Sequence, residues 1–266
     1  MKQTLGNLER QLFAYAQMRG LRTLRTGDLT KALGISAKQE SKLFTRLSKG
    51  RMIAQVRRGL YLIPQRLPLG GSWAPSEILA LNTLIGALKG RYQICGPNAF
   101  NRYGYDEQVP NRVYAYNNRL YGERMVGPVQ LTLIKVADGR LGSTEETITA
   151  DGETGFFSSR ARTLLDAVYD WSRFGTLPRA YDWIRSDLKK KRLTARELVQ
   201  VTLQYGDVGT IRRMGYLLER EAVEPALLKK LQRALKPTRS FIPWIPSKAK
   251  RGSIDRRWGV VDNGQN

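Results

Sequence analysis

The chain has 266 residues and 41% hydrophobic content, enough to build one large domain or two modest ones. Its formal charge is +22, from 45 Lys/Arg against 23 Asp/Glu, so a polyanion is the expected partner, nucleic acid ahead of an anionic membrane surface. Histidine is absent and cysteine occurs once, at Cys95, which excludes Ser-His-Asp and Cys-His catalysis, histidine-ligated metals, a structural zinc site and an intrachain disulfide.

Any catalysis would rest on carboxylates, lysines or tyrosines. No segment reaches the run of about eighteen apolar residues that suggests a membrane span. The opening residues, MKQTLGNLERQLFAY, lack the apolar core and cleavage site of a secretory signal. Together with the single cysteine, this makes the cytoplasm the expected compartment.

In chain order, Leu8, Leu12, Phe13, Tyr15 and Ala16 predict an amphipathic opening helix that Gly20 can end. Leu21 and Leu24 are expected to pack behind it. Residues 26–63 read as two short helices joined by a tight turn, then a two-stranded hairpin, the outline of a winged helix-turn-helix. Thr26 or Asp28 is the expected cap of the first of these helices, and Gly34 its left-handed stop. Ser36 and Gln39 have the spacing of a capping box on the second, and Gly50 is its expected end.

Lys38, Lys42, Arg46 and Lys49 occupy an arc of roughly 80° on that second helix. Leu43, Phe44 and Leu47 lie on the opposite side. Residues 52–56 begin the hairpin, and Arg58-Gly59 is its turn, which puts Arg57 and Arg58 near the tip. The bland alternative for the stripe is a solvated basic face on an ordinary surface helix. The coincidence of helix-turn-helix spacing, cationic stripe and hairpin arginines favours DNA contact. Lys38, Gln39, Lys42, Arg46, Lys49, Arg57 and Arg58 are therefore the candidate DNA-binding residues. Gln39 is shared with the cap.

Residues 64–72, with two prolines and two glycines, read as a linker. The expected organisation is a DNA-binding domain at 1–68 and a larger domain at 69–266. The first carries 14 Lys/Arg against 3 Asp/Glu, a net charge of +11. The rest carries 31 against 20, also +11 over nearly three times the length. Pro75 stands where a helix favours its first residue, and an apolar helix from there is expected to end at Gly90. Strands are predicted over 92–95, 113–116, 129–136 and 144–149, with turns at Asp138-Gly139 and Asp151-Gly152. The third of these strands has the pattern of a central one. From Ser158 onward the pattern is helical. A helix capped by Ser158 or Ser159 comes first, then 177–188, one opened by the capping box Thr194-Glu197, then 208–221 and 225–235. The tail, 236–266, is expected to pack through Phe241, Trp244 and Trp258 and to be otherwise irregular. The fold class is thus α+β: an N-terminal winged helix-turn-helix, a larger mixed α/β domain and a C-terminal helical region.

Two further basic clusters are candidates for a second nucleic-acid surface: Lys189, Lys190, Lys191 and Arg192, beside Arg185, and Lys248, Lys250 and Arg251 in the tail. The alternative for the first is a solubilising helix end, where cations suit the dipole. Tyr103, Tyr105, Tyr114, Tyr116 and Tyr121 could stack bases, but strand aromatics usually pack, and packing is the preferred reading. Asp138, Glu145, Glu146, Asp151 and Glu153 with Lys135 could form a metal-dependent nuclease site. They cluster at predicted turns, where carboxylates are common, so no catalytic residue, metal or cofactor is assigned.

One resemblance covers nearly the whole chain. RRGLYLIP closes the first domain, and CGPNAFNRYGYDEQVPNRVYAYNNR, VQLTLIKV and SSRARTLLDAV follow in order. This order resembles AbiEi-type antitoxins of abortive-infection toxin–antitoxin systems. The resemblance implies a winged helix that binds inverted repeats in its own promoter and represses the operon. It also implies a second domain needed for antitoxin action, and a nucleotidyltransferase-like toxin opposed without a stable complex. RTLLDA at 162–167 looks like a landmark of that family, and Arg162 and Asp166 within it could pair structurally. Two alternatives remain: a nucleic-acid-processing enzyme targeted by a winged helix, and a transcription factor unrelated to any toxin.

Overall fold

The computed structural model describes residues 5–67 and 72–264. The chain divides into two compact units. The first comprises 1–92, 111–137 and 147–155, and the second comprises 93–110, 138–146 and 156–266. The expected boundary after residue 68 falls on 68–71, outside the described residues.

The first unit opens with α1 (Asn7–Met18), β1 (Thr23–Arg25), α2 (Asp28–Leu33), α3 (Ala37–Lys49), β2 (Ala54–Arg57) and β3 (Leu60–Leu62). The strands form a three-stranded sheet of order β1-β3-β2 with antiparallel pairing. Leu12, Phe13, Leu24, Leu29, Leu43, Phe44, Leu47, Ile53 and Ile63 form its core. β1 is absent from the sequence expectation: three residues carry too little alternation to register as a strand.

Ser36 Oγ accepts from the Gln39 amide, and Gln39 Oε1 accepts in return from the Ser36 amide at 2.8 Å. The expected capping box is therefore in place. The cap of α2 is a correction. Gly27 occupies the cap position with φ +98° and no side-chain cap bond, while Asp28 accepts from the Arg25 amide at 2.7 Å. After Gly50, which has an ordinary φ of −73°, it is Arg51 that turns left-handed.

The same unit continues with α4 (Glu77–Gly86), which leads to β4 (Tyr92–Ile94). Ser76 caps α4 by accepting from the Leu79 amide, so Pro75 precedes the cap rather than filling the first helical position. The helix closes at Gly86, before the expected Gly90. In the second unit α5 (Gly96–Arg102) follows. Back in the first unit lie β5 (Val113–Asn117), β6 (Gly122–Val126) and β7 (Val129–Lys135). β7 lies between β6, antiparallel to it, and β5, parallel to it. It is an interior strand, paired on both sides, but it stands next to the edge strand β6 rather than at the centre. The missed strand β6 has three exposed residues, Glu123, Arg124 and Met125, and so lacks the alternation that marks a strand.

The N-terminal elements are joined to this later part of their own unit. The Trp73 amide donates to Arg51 O. Arg22 pairs with Glu153 and donates to Asp151 O at 3.1 Å. Ser76 donates to the Asp151 carboxylate at 2.8 Å, and Asn82 to Glu153 at 2.7 Å.

The remaining elements are β8 (Thr144–Ile148), β9 (Thr154–Ser158), α6 (Arg160–Tyr169), α7 (Trp171–Phe174), α8 (Arg179–Lys189), α9 (Ala195–Tyr205), α10 (Val208–Arg220), α11 (Pro225–Arg233), β10 (Ile242–Pro243), β11 (Ser253–Asp255) and β12 (Val260–Asp262). In the second unit β9 pairs with β4 in parallel through Phe157 and Ile94. α6 is the hub of a helical core, with Leu164, Leu165, Ala167 and Val168 fully buried and α8, α9 and α10 packed around it. Ser159 caps α6, and Thr194 with Glu197 forms the expected box on α9.

The tail corrects the expectation of irregular chain. β10 runs parallel to β12 and β11 antiparallel to it. Trp244, Ile245, Trp258 and Val260 join the helical core. The Tyr181 ring stacks on Trp244 at 3.6 Å, and its hydroxyl donates to Trp244 O. The aromatic content announced the packing, but strands this short, one of them containing a proline, carry no periodicity. Among the described residues no helix is long and apolar enough to cross a membrane.

Candidate nucleic-acid interface

The site is built on α3. Its inward face is Glu40, Leu43, Phe44 and Leu47, all buried. Lys38, Gln39, Ser41, Lys42, Thr45, Arg46 and Lys49 are exposed. Ser41, Lys42, Thr45, Arg46 and Lys49 line an open depression of about 330 Å³. Three of the five lining residues are cations, and none is a carboxylate.

Glu40 holds this helix in place, and the sequence reading missed it. It is fully buried in the middle of an apolar face. Its carboxylate accepts from the Gly27 amide at 2.8 Å and the Leu29 amide at 2.9 Å. These are among the otherwise unpaired donors at the start of α2, so a residue on one helix caps the other and sets their mutual orientation. A carboxylate at a helix N-terminus also suits the dipole. Tyr61 on β3 stacks against Phe44 with ring centroids 4.3 Å apart, and burial, then the Glu40 charge, raises the pKa of its hydroxyl.

Arg46 is tied on its α1 side. Its Nε lies 2.6 Å from Glu9 Oε1, with 62% of its side chain still exposed. Glu9 also accepts from the Gly6 amide at 2.7 Å, so one carboxylate both serves the start of α1 and anchors the α3 arginine. Gln39 is committed to the cap through Oε1, which removes that atom from base recognition. At the hairpin, Arg57 and Arg58 are exposed. Gly59 has φ +75°, and its carbonyl accepts from the Thr26 amide, fastening the tip to the start of α2. The register shifts between Gln55 and Arg57, a bulge that re-aims the strand at this point.

The second-unit clusters are arranged differently. Arg185 pairs with Asp182 and Glu221, and Arg192 lies 3.7 Å from Asp187. Lys189, Lys190 and Lys191 remain exposed at the end of α8, as do Lys248, Lys250 and Arg251. Most of the tyrosines proposed as stackers are packed. The Tyr105 hydroxyl donates to Asp187, which also accepts from Arg160 at 3.0 Å. Burial followed by the Asp187 hydrogen bond pushes that hydroxyl's pKa far up. Tyr103 donates to Ser158 O, and Tyr116 is buried. Tyr121 is 77% exposed.

The carboxylates considered for a nuclease site are dispersed. Asp151 and Glu153 are engaged by Ser76, Asn82 and Arg22, as described above, and no group of three or more metal-ligating side chains forms among the described residues. Arg162 and Asp166 pair structurally. Arg162 Nε donates to both carboxylate oxygens at 2.9 Å in full burial. Arg140 adds a contact at 3.2 Å, and Arg162 caps the Gly142 carbonyl.

With this geometry in view, the comparisons with known proteins concern the fold. No family model and no curated protein sequence matches the chain. The chain is similar in structure to the RV2827C protein from Mycobacterium tuberculosis, known from a crystal structure. The TM-score is 0.59 and the identity 14%, over 98% of this chain and 93% of that one. At this identity the likeness is one of fold. It spans both units and supports the α+β class.

Proposed function

We propose that the N-terminal domain, at 1–68, is a winged helix-turn-helix that binds double-stranded DNA, and that the chain is a transcriptional autorepressor. The observation that carries this reading is α3. An apolar, Glu40-anchored inner face holds the helix, and Lys38, Lys42, Arg46 and Lys49 project from the outer one. Arg57 and Arg58 stand at the hairpin tip. In such a motif the second helix enters the major groove with its N-terminal residues at base edges. Lys38, Lys42 and Arg46 take that place, and Lys49, Arg57 and Arg58 bind phosphate.

The order of motifs resembling AbiEi-type antitoxins extends the proposal. The chain acts in the cytoplasm as the antitoxin of a toxin–antitoxin operon. It binds inverted repeats upstream of its own gene and opposes a nucleotidyltransferase-like toxin without forming a stable complex with it. No enzymatic step and no cofactor belong to this reading. The nuclease alternative is weakened by the engagement of Asp151 and Glu153 in hydrogen bonds within their own unit, and a magnesium-dependent cleavage assay tests it directly.

The test of the repressor reading is a gel-shift titration on DNA from upstream of the gene, beside an unrelated duplex of equal length, in about 150 mM salt, where the Debye length is about 8 Å. Preference for the upstream DNA is the expected result. Equal binding to both would leave a basic protein that coats nucleic acid. Co-expression with a neighbouring nucleotidyltransferase-like gene then tests the antitoxin half, with restored growth as the expected outcome.

A further inference from the structure

The second unit carries a cationic cleft that the DNA-binding reading does not use. It measures about 330 Å³ and lies between the end of α11 and the residues entering β12. Arg212, Lys236, Arg256 and Arg257 line it together with Gln232, Thr238, Leu235 and Trp258, and no carboxylate does. Arg257 is neutralised by Glu219 and also donates to Gln232 at 3.0 Å. Among the described residues, Arg212, Lys236 and Arg256 form no ion pair.

Arg212 is the informative member. It is only 4% exposed, yet its hydrogen-bond partner is a neutral carbonyl, Ser240 O at 3.2 Å. A buried guanidinium offers five donors, and burying a charge without a counter-charge is costly. The surroundings hold this group in place. Gly259 sits at φ +66°, and a Cβ there would meet both the Arg212 Cζ and Ser240 O at 3.4 Å. Trp258 is 1% exposed. Its indole Nε1 donates to Glu219, and its ring lies so close to Gly215 on α10 that a Cβ there would meet it at 2.2 Å. The floor of the cleft is thus rigid, and Lys236 and Arg256 stand exposed at its rim.

We propose that this cleft binds a short polyphosphate chain, such as that of a nucleoside triphosphate. Three cations without ion-pair partners match an anion of several charges better than a single phosphate. Arginine and lysine together supply planar, forked donors and a point charge, the pair suited to phosphoryl oxygens. A recessed site with a buried arginine also differs from the open lysine clusters that would follow a nucleic-acid backbone.

The test is calorimetric titration of the full chain with ATP, inorganic tripolyphosphate and adenosine, in about 150 mM salt to screen diffuse attraction. Saturable one-to-one binding of ATP is expected. Lys236→Ala with Arg256→Ala, both on exposed residues, should weaken it by about tenfold or more, as befits the loss of charge-assisted contacts. Lys248→Ala with Arg251→Ala removes the same charge from exposed tail positions that do not line the cleft, and should leave affinity unchanged. Equal loss in both pairs, absence of saturation, or adenosine binding as well as ATP would each overturn the proposal. If tripolyphosphate matches ATP, the site is established for the phosphate chain alone. Tighter ATP binding establishes it for a nucleotide.

Discussion

At the scale of single residues, the proposed interface depends on two carboxylates as much as on its cations. Glu40→Ala leaves the Gly27 and Leu29 amides without their acceptor inside the core. The expected cost is about 2–4 kcal/mol, since two bonds to a charged group are lost and two donors are left unpaired. Urea unfolding of the full chain measures it, and a loss below about 0.5 kcal/mol, the usual size of a featureless surface change, would sink the role given to Glu40. Arg46 is different because it is well exposed and its pair with Glu9 is at the surface. Its contribution to stability is expected to be under about 1 kcal/mol. On the upstream DNA, Arg46→Ala should cost about 1–3 kcal/mol if the guanidinium reads a guanine. The same loss on unrelated DNA would reduce it to a phosphate contact. Lys49→Ala provides the comparison: losing its phosphate contact lowers the salt slope by about 0.9 on either duplex.

At the scale of elements, helix ends and one buried ion pair set how the parts respond to conditions. α3 is capped by Ser36 and neutral Gln39, and α9 by Thr194 and ionisable Glu197. Hydrogen bonds from the Thr194 amide, then from its hydroxyl, hold the Glu197 pKa below the usual carboxylate range. A depressed carboxylate stabilises the fold fully above the unfolded pKa and loses that contribution as pH falls through the folded one. Acidification from pH 6 to about pH 3 should therefore lower the amide-exchange protection factors, taken against the intrinsic rate at each pH, in the first turn of α9, while the capping box of α3, with no titrating acceptor, keeps its protection. Equal responses at the two helix starts would refute this. On α6, Asp166→Ala removes the carboxylate that Arg162 and Arg140 share. Breaking a buried pair leaves an uncompensated charge, so a loss of about 3–5 kcal/mol is expected in denaturant unfolding. The motif RTLLDA is thereby a structural device of the helical core.

At the scale of the whole molecule, a charge of +22 makes every affinity a function of salt. If contact is confined to α3 and the hairpin, Lys38, Lys42, Lys49, Arg57 and Arg58 with Arg46 neutralise at most six phosphates, and the slope of log K against log salt should be no steeper than about −5. A steeper slope would assign further contacts to Lys189, Lys190, Lys191 and Arg192 or to Lys248, Lys250 and Arg251. Alanine replacement of Lys189, Lys190 and Lys191 together is then expected to return it towards about −5.

Much of the local architecture was legible in the sequence. The cationic arc of α3, the Ser36–Gln39 and Thr194–Glu197 boxes, the left-handed Gly34 and the helices α6 and α8 to α11 all follow from spacing and capping chemistry within a few residues of one another, whereas the four-residue α7 is too short to show a period. Such features are decided by contacts between near neighbours in the chain. The features that escaped depend on distant partners. Glu40 looks like one more surface charge on an amphipathic helix until the amides of α2 are placed against it. Arg46 looks free until Glu9 is brought to it. Asp151 and Glu153 look like metal ligands until Arg22, Ser76 and Asn82 engage them. The tail strands exist because a hydrophobic core receives Trp244 and Trp258, and the cleft at Arg212 is assembled from three separate segments, at 212, 232–238 and 256–259. Charge, helix faces and the chemistry excluded by the lack of histidine can be read directly from the order of residues. Which charged groups are spent on one another and which remain for a partner is settled by folding, because burial and pairing are properties of residues brought together in space.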